Sequence, residues 1–224
     1  QPFTPGSCMR ADLPSGIQLP DEFSVSAMIW PTRLEAGAQS VLSIASDNES
    51  AALVLGLDDS ARPRVTVRMT DGSWTEAVLP RSVGERKWVR LWASVSHASG
   101  ELIVGCGSAH DQAAASSQVE GSTALAIETM GRILVAACDQ AGHRMHFNGK
   151  IEGPAIYQGL VDWDDFCAPS TTDSEALFAR WDFSQDISST RVRDTGANGI
   201  HGTLINFPAR AMTGSNWDGS EMCW

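Results

Sequence analysis

The sequence holds one tyrosine, Tyr157, and only 16 lysines and arginines against 27 aspartates and glutamates. The shortage of positive charge leaves a formal net charge of -11. That argues against non-specific binding to nucleic acid or to an anionic membrane, both of which need basic side chains to neutralise phosphates. The acidic excess selects no function by itself, because a solvated surface accounts for it. No apolar run approaches the ~18 residues of a membrane-spanning helix. Cysteine pairs of the C-x-x-C type are missing too, so the five cysteines, Cys8, Cys106, Cys138, Cys167 and Cys223, lack zinc spacing. They show no disulfide framework either. They read as reduced thiols of a cytoplasmic protein. Nor is there a G-x-S-x-G elbow for a serine nucleophile. Alternation of strands with long helices, which a Rossmann, P-loop or TIM architecture needs, is absent as well.

What the chain does have is 224 residues, 42% of them hydrophobic, enough to bury a proper core in one domain. The dominant pattern has period two. In "EFSVSAMIWP", Phe23, Val25, Ala27 and Ile29 alternate with small or polar residues until Pro31 ends the run, as in a half-buried strand. "QSVLSIASD" repeats the pattern, and "AALVLGLDD" is a more continuous apolar run. "RPRVTVRMTDGSWTEAVLP" predicts a hairpin turning at Asp71-Gly72, and "KWVRLWASVSHASGELIVGC" a second one turning near Ser99-Gly100. "RILVAACD", "HFNGKIEGPAIYQGLV", "ALFARWDFS" and "HGTLINFP" predict further strands. The small, polar stretch from Gly107 to Gly121 reads as a loop or a short helix. Closely spaced strands with almost no helical periodicity predict an all-β antiparallel sandwich. Residues 1–20 read as an irregular lead-in, 21–207 as the sandwich, and 208–224 as a tail. The start, "QPFTPGSCMR", has no Met and no signal-like apolar region, so the chain is expected to be processed or cut from something longer.

The order of these pieces resembles the laminin-G-like (concanavalin A-like) jelly roll. "FSVSAMIWP", "WVRLWASV" and "FNGKIEGPAIYQ" are similar to successive parts of that family. The family's opening piece resembles "WDFS...VRDTGANGIHGTLIN", which here comes last. The resemblance therefore implies a circularly permuted sandwich, in which "GPAIYQ" pairs antiparallel with "LFARWDF". A narrower likeness covers the last fifth of the chain. "ARWDFSQDISSTRVRDTGANGIHGTLINFPARAMTGSNWDG" resembles a stretch in the large (β) subunits of the N,N-dimethylformamidase family. In that family a laminin-G-like region precedes the catalytic part, which hydrolyses a formamide with an iron held by Tyr and Glu side chains. The implied role is a non-catalytic accessory domain that packs against the catalytic part or other subunits. Iron is expected only in that absent catalytic region, because one tyrosine cannot build such a site. Whether the chain is itself an enzyme stays open.

Candidate binding residues follow from the same likeness. Asp194 and Asn198, in "DTGANG", sit where laminin-G-like domains often carry an oxygen-rich loop, so they are candidate calcium ligands. A tight turn is the favoured explanation, since Asp and Asn bond their own backbone and Gly196 and Gly199 are expected to supply positive φ. Otherwise no cofactor is expected in this chain. Jelly rolls often stack sugars on exposed aromatics. Of the eight tryptophans, Trp74 and Trp163 are the ones least explained by a core, so they are the candidate ligand-binding residues for a carbohydrate. Trp30, Trp88, Trp92 and Trp181 lie in strand patterns and are expected to be at least half-buried. His143 and His146 form H-x-x-H, a spacing that on a strand puts the two rings on opposite faces.

Overall fold

The computed structural model describes residues 6–46, 51–108, 111–118, 130–140, 143–161 and 176–210. Its first half contains β1 (Cys8–Asp12), β2 (Glu22–Pro31), β3 (Gln39–Ser46), β4 (Ala51–Leu57), β5 (Pro63–Arg68), β6 (Trp74–Val78), β7 (Val89–Ser96) and β8 (Glu101–Ser108). There follow β9 (Asp111–Gln118), β10 (Met130–Val135), β11 (Ala137–Gln140), β12 (His143–His146), β13 (Gly149–Gln158), β14 (Leu177–Asp182), β15 (Arg191–Asp194) and β16 (Gly202–Ile205). Fourteen of these form one antiparallel ladder in the order β6-β5-β4-β3-β10-β1-β16-β15-β14-β13-β2-β7-β8-β9, and β11 and β12 make a separate hairpin. The ladder bends back on itself, so that β4 faces β7, β5 faces β8, and β6 lies against β8 and β9. The result is an all-β jelly-roll sandwich with its two edge strands beside each other.

Period two decides which side chains fill the space between the layers. Phe23, Val25, Ala27 and Ile29 of β2 point inward and are fully buried. Across the ladder Phe23, Val25 and Ala27 face Val95, Ala93 and Leu91 of β7, also buried. The run "AALVLGL" does not alternate, because β4 is buried on both faces. Its inner side meets the core, while Ala51 and Val54 pack under Cys138 and Met145 of the β11–β12 hairpin. Ser40 and Ser43 Oγ each donate to the Ala137 carbonyl, at 3.1 and 2.9 Å, and fasten that hairpin over the sheet. Trp92 stands opposite Gly105, and a Cβ added there would sit 2.1 Å from the indole, so the ring occupies the space a side chain would need.

The structure differs from the sequence reading at two strands. The lead-in contains β1, which is central in the ladder: it pairs with β10 on one side and β16 on the other. The stretch read as a loop or helix contains β9, the edge strand beside β8. Both are short or small-residue strands, whose pairing is set by neighbours rather than by their own apolar alternation. "RILVAACD" splits into β10 and β11 because Ala136 adopts φ 68° and breaks the strand. The expected joint is present: β13 pairs antiparallel with β14 through Ala155↔Arg180, Ile156↔Ala179 and Tyr157↔Leu177.

Candidate functional site

The "RVRDTGANGIHGTL" segment is a hydrogen-bonded clamp. Asp194 is buried, and its carboxylate accepts three backbone N–H bonds: Arg180 at 2.9 Å, Gly196 at 2.8 Å and Ile200 at 2.7 Å. Its own N–H donates to His201 Nδ1 at 3.1 Å. Asn198 Nδ2 donates to the Phe178 carbonyl at 2.8 Å, and the indole of buried Trp181 donates to the Ile200 carbonyl at 2.7 Å. The loop thus sews β14 to β15 with Asp194 at its centre. Gly199 takes φ +64°, which the turn requires. Asp194 ends β15 and Asn198 lies in the loop after it, both engaged by protein groups; of the two glycines expected at positive φ, Gly199 adopts it and Gly196 does not.

A second feature lies just after β16. Asn206 and Phe207 are non-glycine residues in the left-handed region, at φ 58° and 45°. Asn206 Nδ2 donates to the Gly6 carbonyl at 2.7 Å, and Ser7 Oγ donates to the Asn206 carbonyl at 3.0 Å. Arg210 then reaches back to the loop between β14 and β15. Its guanidinium donates to the carbonyls of Phe183, Asp186, Ser189 and Arg191 at 3.0–3.1 Å, and also to Gln185. These bonds hold the backbone in a conformation that costs a bulky side chain of order 1 kcal/mol. They also hold Phe207 outward, 79% exposed, with Ile187 (57%) across a shallow dent and Ile205 (41%) on the adjoining strand.

The third feature is a split in the ladder. β13 pairs with β2 along Gly149–Gln158, but with β14 only from Ala155 to Tyr157. Trp181 and Asp182 lack a partner on β13 and pair only with β15, on the opposite edge of β14. Gly153, at φ +53°, sits in an irregularity of the β13–β2 pairing between Glu152 and Ala155, just beyond the last β13–β14 pair. The fork opens a cavity of about 700 Å³. Its floor is apolar: Met9, Val135 and Leu204 form one cross-strand row, with Ile151 and Trp181 beside it. Its rim is charged, with Lys150, Glu152, Arg180 and Asp182. Lys150 Nζ lies 4.3 Å from the centre of the Trp30 ring, and Trp30 stacks on Trp88 at 6.3 Å. Burial acts to raise the pKa of Asp182, but hydrogen bonds from Ser184 and Gln185 and the nearby Arg180 charge outweigh it and hold the carboxyl below its usual range.

Of the candidate sugar-stacking tryptophans, Trp74 begins edge strand β6 and is 39% exposed, while Trp163 lies outside the described residues. Trp92 and Trp181 are buried and Trp30 and Trp88 half-buried, as expected from their strand patterns. Cys8, Cys106 and Cys138 stand as thiols; Cys167 and Cys223 lie outside the described residues. Among the described residues no three His, Cys, Asp or Glu side chains group as a metal site, and Tyr157 sits on β13. No described helix is long and apolar enough to cross a membrane. The fork cavity and the Phe207 display were not read from the sequence. A cavity made by strands parting is a property of register, and register leaves no local motif.

No family model matches the chain. It is 29% identical over 245 residues to the N,N-dimethylformamidase β subunit of an Alcaligenes species, covering 94% of this chain and 31% of that protein. It is 26% identical over 243 residues to the N,N-dimethylformamidase β subunit of Paracoccus aminophilus, covering 96% and 32%. The chain therefore spans about a third of the length of the curated relatives it matches. The likeness runs along nearly all of the chain rather than its last fifth alone. Among solved structures, a candidate carbohydrate-binding protein from Bacteroides ovatus superposes with a TM-score of 0.64 at 13% identity, over 89% of this chain and 56% of that one. The carbohydrate-binding module of a Ruminococcus gnavus sialidase, solved with α2,3-sialyllactose, gives 0.55 at 16% identity, over 70% and 88%. The LG1–3 region of the laminin α2 chain gives 0.52 at 12% identity, over 67% and 31%. At these identities the likeness establishes the jelly-roll fold.

Proposed function

We propose that this chain is a non-catalytic accessory domain of an N,N-dimethylformamidase-like large subunit, and that it docks against the catalytic part or a neighbouring subunit. The observation that carries the reading is Phe207, fixed outward at 79% exposure beside Ile187 and Ile205. A large apolar side chain held in left-handed backbone by so many hydrogen bonds is preorganised, and preorganised aromatics are the residues that anchor interfaces. The similarity to a β subunit named as part of a larger enzyme supplies the class of partner. In this reading the protein works in the cytoplasm, and any iron belongs to the catalytic part.

The test is formate release from N,N-dimethylformamide by a full-length large subunit containing this domain, assembled with its partner subunits. Activity or assembly that is lost on deleting the domain, and weakened by Phe207→Ser, supports the docking role. Full activity and unchanged assembly after deletion would overturn it. A second reading, carbohydrate binding, draws on one observation: Trp74 stands exposed at the start of β6. Binding on a glycan array that disappears with Trp74→Ala would favour it.

A further inference from the structure

We infer that the fork between β13 and β14 is a binding site for a small amphiphilic carboxylate, with Arg180 as its anchor. The inference does not rest on the docking reading: the fork adjoins the Phe207 dent and shares Leu204, Pro208 and Arg210 with it, but Arg180 and Ile151 line the fork alone. Three observations lead to it. The cavity, at about 700 Å³, has the size of a small-molecule site. It is also built like one: half-buried Cys8, Trp88, Ala136, Ile151 and Phe183 offer apolar surface above the buried Met9, Val135, Trp181 and Leu204, and the charges stand at the rim. Lastly, the rim charges are not equivalent.

Asp182 is already committed, since its oxygens accept from Ser184 N at 2.9 Å, Ser184 Oγ at 2.6 Å and Gln185 Nε2 at 2.7 Å. Lys150 lies over the Trp30 ring, and Glu152 likewise has an interaction of its own. Arg210, also at the rim, spends its donors on loop carbonyls. Arg180 differs. Its side chain is exposed and hydrogen-bonds to no acceptor among the described residues, although Asp182 is near enough to feel its charge. Its guanidinium lies over the fork, with Nη2 3.5 Å from where a Cβ on Gly153 would be. A planar guanidinium with unused donors pairs bidentately with a carboxylate, and half-buried Ile151 and Trp88 leave apolar surface for the ligand's hydrocarbon part.

The test uses the 224-residue chain and three compounds of equal chain length: hexanoate, hexanol and hexylamine. Binding is followed by the indole N–H NMR signals of Trp181 and Trp88, which line the cavity. Hexanoate is expected to bind about tenfold more tightly than hexanol, the worth of one charge-assisted pair. Arg180→Gln is expected to abolish that preference without changing the melting temperature, because the side chain is exposed. In a second variant, Ile151→Gln, at a half-buried residue that lines the fork alone, hexanoate and hexanol should both weaken. Equal binding of hexanol or hexylamine, an undiminished preference in Arg180→Gln, or no response to any of the three compounds would each overturn the proposal.

Discussion

One carboxylate, Asp194, satisfies three backbone donors that would otherwise be unpaired away from bulk water: Gly196 and Ile200 in the loop joining β15 to β16, and Arg180 on β14. Asp194→Ala should therefore destabilise the domain by about 3 kcal/mol, read as a lower urea midpoint with unchanged slope. Because both oxygens already have donors, neither calcium nor EDTA should move the melting temperature; a calcium-dependent rise would assign the loop to metal instead. Asp58 does the same work at the turn after β4. It accepts from Ser60 N at 2.9 Å and Arg62 N at 2.8 Å, and pairs with the Arg62 guanidinium at 2.7 Å. Burial pushes its pKa up, but these bonds prevail and the net direction is down, as it is for Asp12. A folded-state pKa below the unfolded value of about 3.9 means that the stabilisation is complete above that value and drains as pH falls through the folded one. Stability measured against pH should drop below about pH 4, and the drop should be shallower in Asp58→Asn. At this scale the sequence was legible where a turn residue acts on its own neighbours. "DTGANG" announces a turn. Nothing local announces that Arg210 will reach carbonyls 19 to 27 residues away.

Strands were legible in proportion to the strength of their alternation. β2 and β7 alternate in residue type, with aliphatic or aromatic side chains toward the core and mainly serines on the other face, so they are legible even though both faces are buried over Phe23–Ala27 and Leu91–Ser96. β1 has five residues, of which only Met9 and Ala11 are buried, and β9 is rich in Ala, Ser and Gln; neither carries enough pattern to be seen without its partners. The same dependence makes close strand pairs sensitive to small changes. Trp92 lies across Gly105, so Gly105→Ala must push the indole away and should cost roughly 2 kcal/mol. A red-shifted tryptophan emission in the folded variant would show the ring leaving its buried seat; an unchanged spectrum and melting temperature would contradict this packing argument. Met9→Ala, in the row that floors the fork, should lower stability by about 2–5 kcal/mol, measured by chemical denaturation.

Across the whole molecule, the sandwich leaves a short list of surfaces that solvent alone does not explain. The fork could be found only after register was known, and the Phe207 display only after its backbone was. The two can be separated experimentally. Phe207→Ser on the isolated domain should leave its melting temperature within about 0.5 kcal/mol equivalent of the parent, because the side chain touches little in the domain. In the assembled enzyme the same substitution should weaken association about tenfold or more, as expected for an interface anchor. A domain that unfolds on Phe207→Ser would show that the ring serves the fold instead.

The side-by-side placement of β1 and β16 has a mechanical consequence. Cys8 pairs with Ile205 and Ala11 with Gly202, so the incoming and outgoing chain meet at the same end of that pair. Tension applied through the flanking polypeptide would load the Gly6–Asn206 end first and peel the two strands apart one pair at a time, rather than shearing all the pairs together. Before that peeling could begin, a pull beyond residue 210 would have to extract the Arg210 guanidinium from its carbonyls. Arg210 is thus the latch on a zipper, and the Asn206–Gly6 and Ser7–Asn206 bonds are the first teeth behind it.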